Sequence, residues 1–180
     1  MFDYTSKPAN LRKLNKICKA FIAEIAKDTR AYDDVEISFV RDKEGFAIHA
    51  DGDDIDMLYD YCALDHTLEC NKAFDSYVHN RWRYTKGFAD VTLAILHEMG
   101  HYATAYSLRK YDRAKELVKL YEKASLNNWS WYEIQTYYTS QMKDERKATE
   151  WGMNWLGNPH NRKIAKAFEK AFFKCWRGEY

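Results

Sequence analysis

The sequence predicts an α+β fold: an N-terminal helix, a small mixed sheet with an exposed edge strand, a buried helix beneath it and a helical C-terminal half. Three observations carry this. Apolar residues recur at spacings of three and four over residues 10–28. Between residues 35 and 70, Val35–Phe39 and Leu64–Cys70 alternate apolar with polar as half-buried strands do, and Phe46–Ile48 follows a turn as a hairpin partner does. Past residue 87 the helical spacing returns and holds to the C-terminus. At 180 residues the chain is long enough to bury a real core and is read as one domain, 1–180. Residues 1–108 hold the sheet and the buried helix, and 109–180 the helical part.

In order, Leu11, Leu14, Ile17, Cys18, Phe21, Ile22 and Ile25 give the first helix its apolar stripe. Val35–Phe39 and Phe46–Ile48 flank a turn at Asp42–Gly45 and form a hairpin. Leu64–Cys70 alternates again, with Leu64, His66, Leu68 and Cys70 on one face. The next helix is expected from Gly87 to Leu108, with Asp90 near its positive end. Leu117, Val118, Leu120 and Tyr121 form a further stripe, ended by Asn127-Asn128. Ser130 and Glu133 make a capping box, each satisfying a free backbone donor at a helix start. That helix is expected to reach Leu156 with a break near Ser140. After Gly157, Asn158 caps a last helix with Pro159 in its first turn.

Composition excludes several classes. A net charge of +1 with 31% charged residues names no nucleic-acid or acidic partner. Aromatic residues at 16% argue for a packed domain rather than a disordered one. Cys18, Cys62, Cys70 and Cys175 show no C-x-x-C spacing, which suits free thiols in a cytoplasmic protein better than a disulfide framework. Met1–Tyr4 carries neither a basic leader nor an apolar run, and no stretch approaches 18 apolar residues, so neither secretion nor membrane spanning is expected.

The chemistry concentrates in Leu93–His101, which contains His-Glu-x-x-His. On a helix His97 and His101 lie about 40° apart in rotation and about 6 Å apart along the axis, so both reach one metal ion from one face. Glu98 sits beside that face, where its carboxylate can hold a water on the metal. Zinc suits such ligands because it takes imidazole nitrogens in tetrahedral geometry. Leu93, Ala94, Ile95, Leu96, Met99, Ala103 and Ala105 make the helix apolar nearly all round. Polar groups buried there need partners, and a metal supplies one. A third protein ligand is required. Thr104 and Ser107 stand where a metzincin would have Gly and His, which excludes that subclass. Glu145 and Glu150 are the remaining candidates. Glu145 shares a face with Ala148, Thr149 and Gly152, small residues that permit close helix approach, and is favoured. Glu150 shares its face with Arg146, Lys147 and Asn154 and is the alternative.

His97-Glu98-Met99-Gly100-His101, then Glu145-Arg146-Lys147-Ala148 and the ending Leu156-Gly157-Asn158-Pro159, resembles the zincin metallopeptidases. Among these it is most similar to the ImmA/IrrE-type peptidases of phages and mobile elements, over residues 63–160. The resemblance implies a zincin-like fold, with zinc held by His97, His101 and Glu145 and with Glu98 as general base. It implies hydrolysis of a peptide bond in an intracellular protein substrate. It also implies that strand 64–70 is the sheet edge on which an extended substrate pairs, making His66, Thr67 and Leu68 the substrate-binding candidates. Segment 102–144 is longer than that family's usual spacing and holds a helix at Asp112–Ala124.

Other features are weighed against plainer readings. His66, His79, Tyr137, Tyr138 and His160 are candidates for steadying an oxyanion, and spacing does not choose among them. Asp51–Asp56 fails the EF-hand pattern and reads as an acidic surface turn. Lys163, Lys166, Lys170, Lys174 and Arg177 form a basic stripe opposite Ile164, Phe168, Ala171 and Cys175, the solvated face of an amphipathic helix rather than a nucleic-acid surface. A catalytically silent zinc-binding regulator is the alternative function. Glu98, which a purely structural zinc site does not need, favours the enzyme.

Overall fold

In the computed structural model the described residues are 10–28, 35–41, 46–52, 87–108 and 110–179. Helix α1 (Leu11–Ala26) starts at Asn10, whose side chain accepts the Lys13 N–H at 2.9 Å. Its stripe buries Leu14, Cys18, Phe21, Ile22 and Ile25. Strands β1 (Val35–Arg41) and β2 (Phe46–Gly52) pair antiparallel, with Phe39 opposite Ile48. Helix α2 (Asp90–Thr104) carries the two histidines. It begins three residues later than expected because Gly87 has φ +95°, outside the helical region. It ends in a tighter 3₁₀ turn, Ala105–Leu108, where the Thr104 hydroxyl donates back to the Gly100 carbonyl at 2.8 Å.

Helix α3 (Arg113–Leu126) is capped by Asp112, which accepts the Lys115 N–H at 3.0 Å. Helix α4 (Trp131–Gln141) opens on the Ser130–Glu133 capping box with both hydrogen bonds formed. The break before α5 (Lys143–Gly157) is a single extended residue, Met142, two positions past Ser140. Asn158 caps α6 (Pro159–Trp176), accepting the His160 N–H at 2.9 Å.

One core joins these helices. Val91, Ala94, Ile95, Leu96, Met99 and Tyr102 of α2 are buried against α1, α5 and α6. Fully burying a Leu or Ile side chain is worth about 1.5–3 kcal/mol, so this helix anchors the fold. Phe21 stacks on Phe168 at 4.2 Å and meets Trp155 edge-on at 6.0 Å. The Trp155 indole donates to Asp28 at 2.7 Å, tying the end of α1 to α5.

The α+β expectation with a mixed sheet and an exposed edge strand is therefore corrected: the packed body is all-helical. Strand pairing among the described residues is confined to the β1–β2 hairpin. Two strands make no layer able to cover a helix that is apolar all round, and α1, α5 and α6 perform that role instead. The zincin-like architecture is corrected with the sheet. The expected strand 64–70, and with it His66, Thr67 and Leu68, lies outside the described residues, as does His79.

Candidate metal centre

The site forms where α2 and α5 approach unusually closely. A Cβ on Gly100 would stand 2.1 Å from the Ala148 carbonyl oxygen, and one on Gly152 3.1 Å from that of Leu96. Real Cβ atoms do not come within 3.0 Å of a neighbour, so the contact at Gly100 admits only glycine. That proximity carries Glu145, in the first turn of α5, onto the histidine face of α2. Glu145 Oε2 lies 3.0 Å from His97 Nε2 and 3.5 Å from His101 Nε2. The two Nε2 atoms are 3.2 Å apart, with the rings nearly perpendicular at 87°. Glu150 is directed elsewhere, pairing with Lys147 at 3.0 Å and Arg146 at 3.9 Å.

Glu98, His101 and Glu145 are only 8%, 6% and 5% exposed. Burial drives the Glu98 carboxyl above its ordinary value and Glu145 adds to this, while His97, His101 and Arg113 act against it. For Glu145 burial also pushes upward, but the charge and hydrogen bonds of His101 and His97 prevail and hold it well below the usual carboxylate range. His101 moves the other way: burial disfavours its cation, yet Glu145, Glu98 and Asp144 together raise it. The chain thus places a buried anion against an imidazole that favours its cation, an arrangement matched to holding positive charge.

Three participants lack a signal of their own in the sequence. Thr149 Oγ1 stands 3.1 Å from His97 Nδ1, leaving Nε2 to face Glu145. Its position four residues past Glu145, on the same face, is the hint it offers. Arg113 bridges Asp144 at 3.0 Å and Glu145 at 3.3 Å, and neither Arg113 nor Asp144 belongs to a motif. Of the oxyanion candidates, Tyr138 lies under Arg113, with the guanidinium carbon 5.5 Å from its ring. Tyr137 packs on Trp129 and Lys123, and His160 is exposed at the start of α6. Lys163, Lys166, Lys170 and Lys174 of α6 and Arg177 just past its end are exposed, and so is Ala171, which the expected apolar face had included. No helix among the described residues is long and apolar enough to cross a membrane.

A scan against protein-family models finds no match, and searches of curated proteins and of solved structures find none either.

Proposed function

We propose that the chain is a zinc-dependent peptidase in which His97, His101 and Glu145 hold the metal and Glu98 is the general base. The observation that carries this is the triangle of His97 Nε2, His101 Nε2 and Glu145 Oε2, with edges of 3.0, 3.2 and 3.5 Å. Zinc bonds of about 2.0–2.1 Å at tetrahedral angles set neighbouring donors about 3.3 Å apart, so the donor set fits that ion in chemistry and spacing. Three protein ligands leave a fourth position open, the pattern of catalytic rather than structural zinc.

Bound zinc supplies Lewis acidity, acidifying water and polarising a carbonyl. Glu98 takes the proton of the attacking water and returns it to the leaving amine. With Nε2 on the metal the His97 proton would sit on Nδ1, where Thr149 Oγ1 at 3.1 Å would accept it and keep that ring turned toward Glu145. We place the protein in the cytoplasm, on the buried free thiols of Cys18 and Cys175.

The test is Glu98→Gln, which keeps shape and hydrogen bonding but removes the base. Zinc content and melting temperature should match the wild type, and hydrolysis in a proteome-derived peptide library should fall by about 10²–10⁴-fold. A zinc-loaded wild type that cleaves nothing would leave the silent regulator as the better reading.

A further inference from the structure

We propose that Arg113 is a positioning residue that fixes Glu145 as a one-oxygen metal ligand, an inference that rests on the metal site proposed above. Arg113 is the first residue of α3 and sends its guanidinium across the first turn of α5. One nitrogen, Nη1, meets Asp144 Oδ2 at 3.0 Å, and the other, Nη2, meets Glu145 Oε1 at 3.3 Å. Tyr138 underlies the fork. The two oxygens of Glu145 are thereby divided: Oε1 belongs to Arg113, and Oε2 faces both imidazoles. A carboxylate with both oxygens free can close on a metal through both and fill the position that water or substrate needs. With Oε1 held, that position stays open.

The arrangement is poorly explained as a stabilising ion pair. Asp144 is buried, and its other oxygen, Oδ1, has no hydrogen-bond partner among the described residues. A buried carboxylate satisfied on one side is costly, and buried ion pairs contribute little net stability. Arg113 is itself 42% exposed, which weakens the pairing further. Asp144 makes sense as the anchor that leaves the guanidinium one orientation, since a rigid planar fork fixes two carboxylates relative to each other where a freely rotating ammonium does not. Segment 102–144, between the histidines and Glu145, thus contributes a residue to the site.

Wild type, Arg113→Ala and Arg113→Lys are compared in three measurements. These are melting of the metal-free protein, zinc affinity by competition with a chromophoric chelator, and visible absorption of the cobalt(II) form, which weakens as coordination rises above four. Arg113→Ala leaves two buried carboxylates without their cation, so the metal-free variant should melt several degrees or more below the wild type, bind zinc about 10–100-fold more weakly and lose cobalt band intensity. Arg113→Lys keeps the charge without the fork and should also lose affinity and intensity, so it carries the test if the alanine variant does not fold. Wild-type affinity and cobalt spectrum in either folded variant overturn the proposal. If the wild type itself binds neither metal, the metal site fails and this inference fails with it, a result distinct from a metal-binding wild type with indifferent variants.

Discussion

Glu145 is the residue on which the site turns. Two imidazoles four positions apart meet by helix geometry alone, whereas the carboxylate must arrive from another helix. Glu145→Ala should weaken zinc binding by more than the roughly 10–100-fold that loss of an outer partner costs, and Thr149→Val, which keeps shape without the hydroxyl, by about 10-fold. Glu150→Ala should stay within about 0.5 kcal/mol of the wild type, its partners being a half-buried lysine and arginine away from the histidines. Competition titrations of the three variants check this, and a strong effect at Glu150 with none at Glu145 would exchange their roles. The pH response has a definite sign. His101 is raised above 6.5, so its contribution to the metal-free fold is complete below 6.5 and is lost as pH climbs through the raised value. Glu145 is depressed below 4.5, so its contribution is complete above 4.5 and is lost as pH falls through the depressed value. Zinc needs unprotonated imidazole, so its affinity should rise with pH over the range in which the metal-free protein weakens. The gap between the melting temperatures of the zinc-bound and metal-free forms should therefore widen from pH 6 to 8. A constant gap would show that His101 is not a ligand.

At the scale of elements, the approach of α2 to α5 makes the site, and Gly100 makes the approach. Gly100→Ala sets a methyl against the Ala148 carbonyl, which is backbone and cannot turn aside. Overpacking of this kind costs about 1–3 kcal/mol or more, and a melting temperature lower by several degrees, together with lost zinc, is the expected result. Gly157→Ala, with no neighbour within 4 Å, should be neutral or slightly stabilising in the same measurement. The close contact was legible beforehand, because Ala148, Thr149 and Gly152 are small and share the face of Glu145. Caps at Ser130 and Asn158 were legible too, since each is satisfied within three residues. Other features had no local signal. Glu169 of α6 accepts the Ala89 N–H and the Thr92 hydroxyl at the start of α2, from almost 80 residues away. Arg113 reaches Glu145 across 32 positions. Alternation at Val35–Phe39 and the turn after it identified the hairpin, but a period of two says nothing of what packs on the histidine helix, and among the described residues that role falls to helices rather than to a sheet.

At the scale of the whole molecule, the histidine helix is the most buried of the described helices and carries the candidate site, so a metal bound there would be coupled to folding. Zinc bound only by the native state adds about 4 kcal/mol at a thousandfold excess over its Kd, and a chelator should lower the melting temperature accordingly. The most direct measurement of the central claim is the zinc content of protein purified without chelator, determined by elemental analysis beside a folded His101→Ala variant. The account predicts one zinc per wild-type chain and a small fraction of that in the variant. A wild type that contains and takes up no zinc, or a variant that retains one per chain, would contradict it.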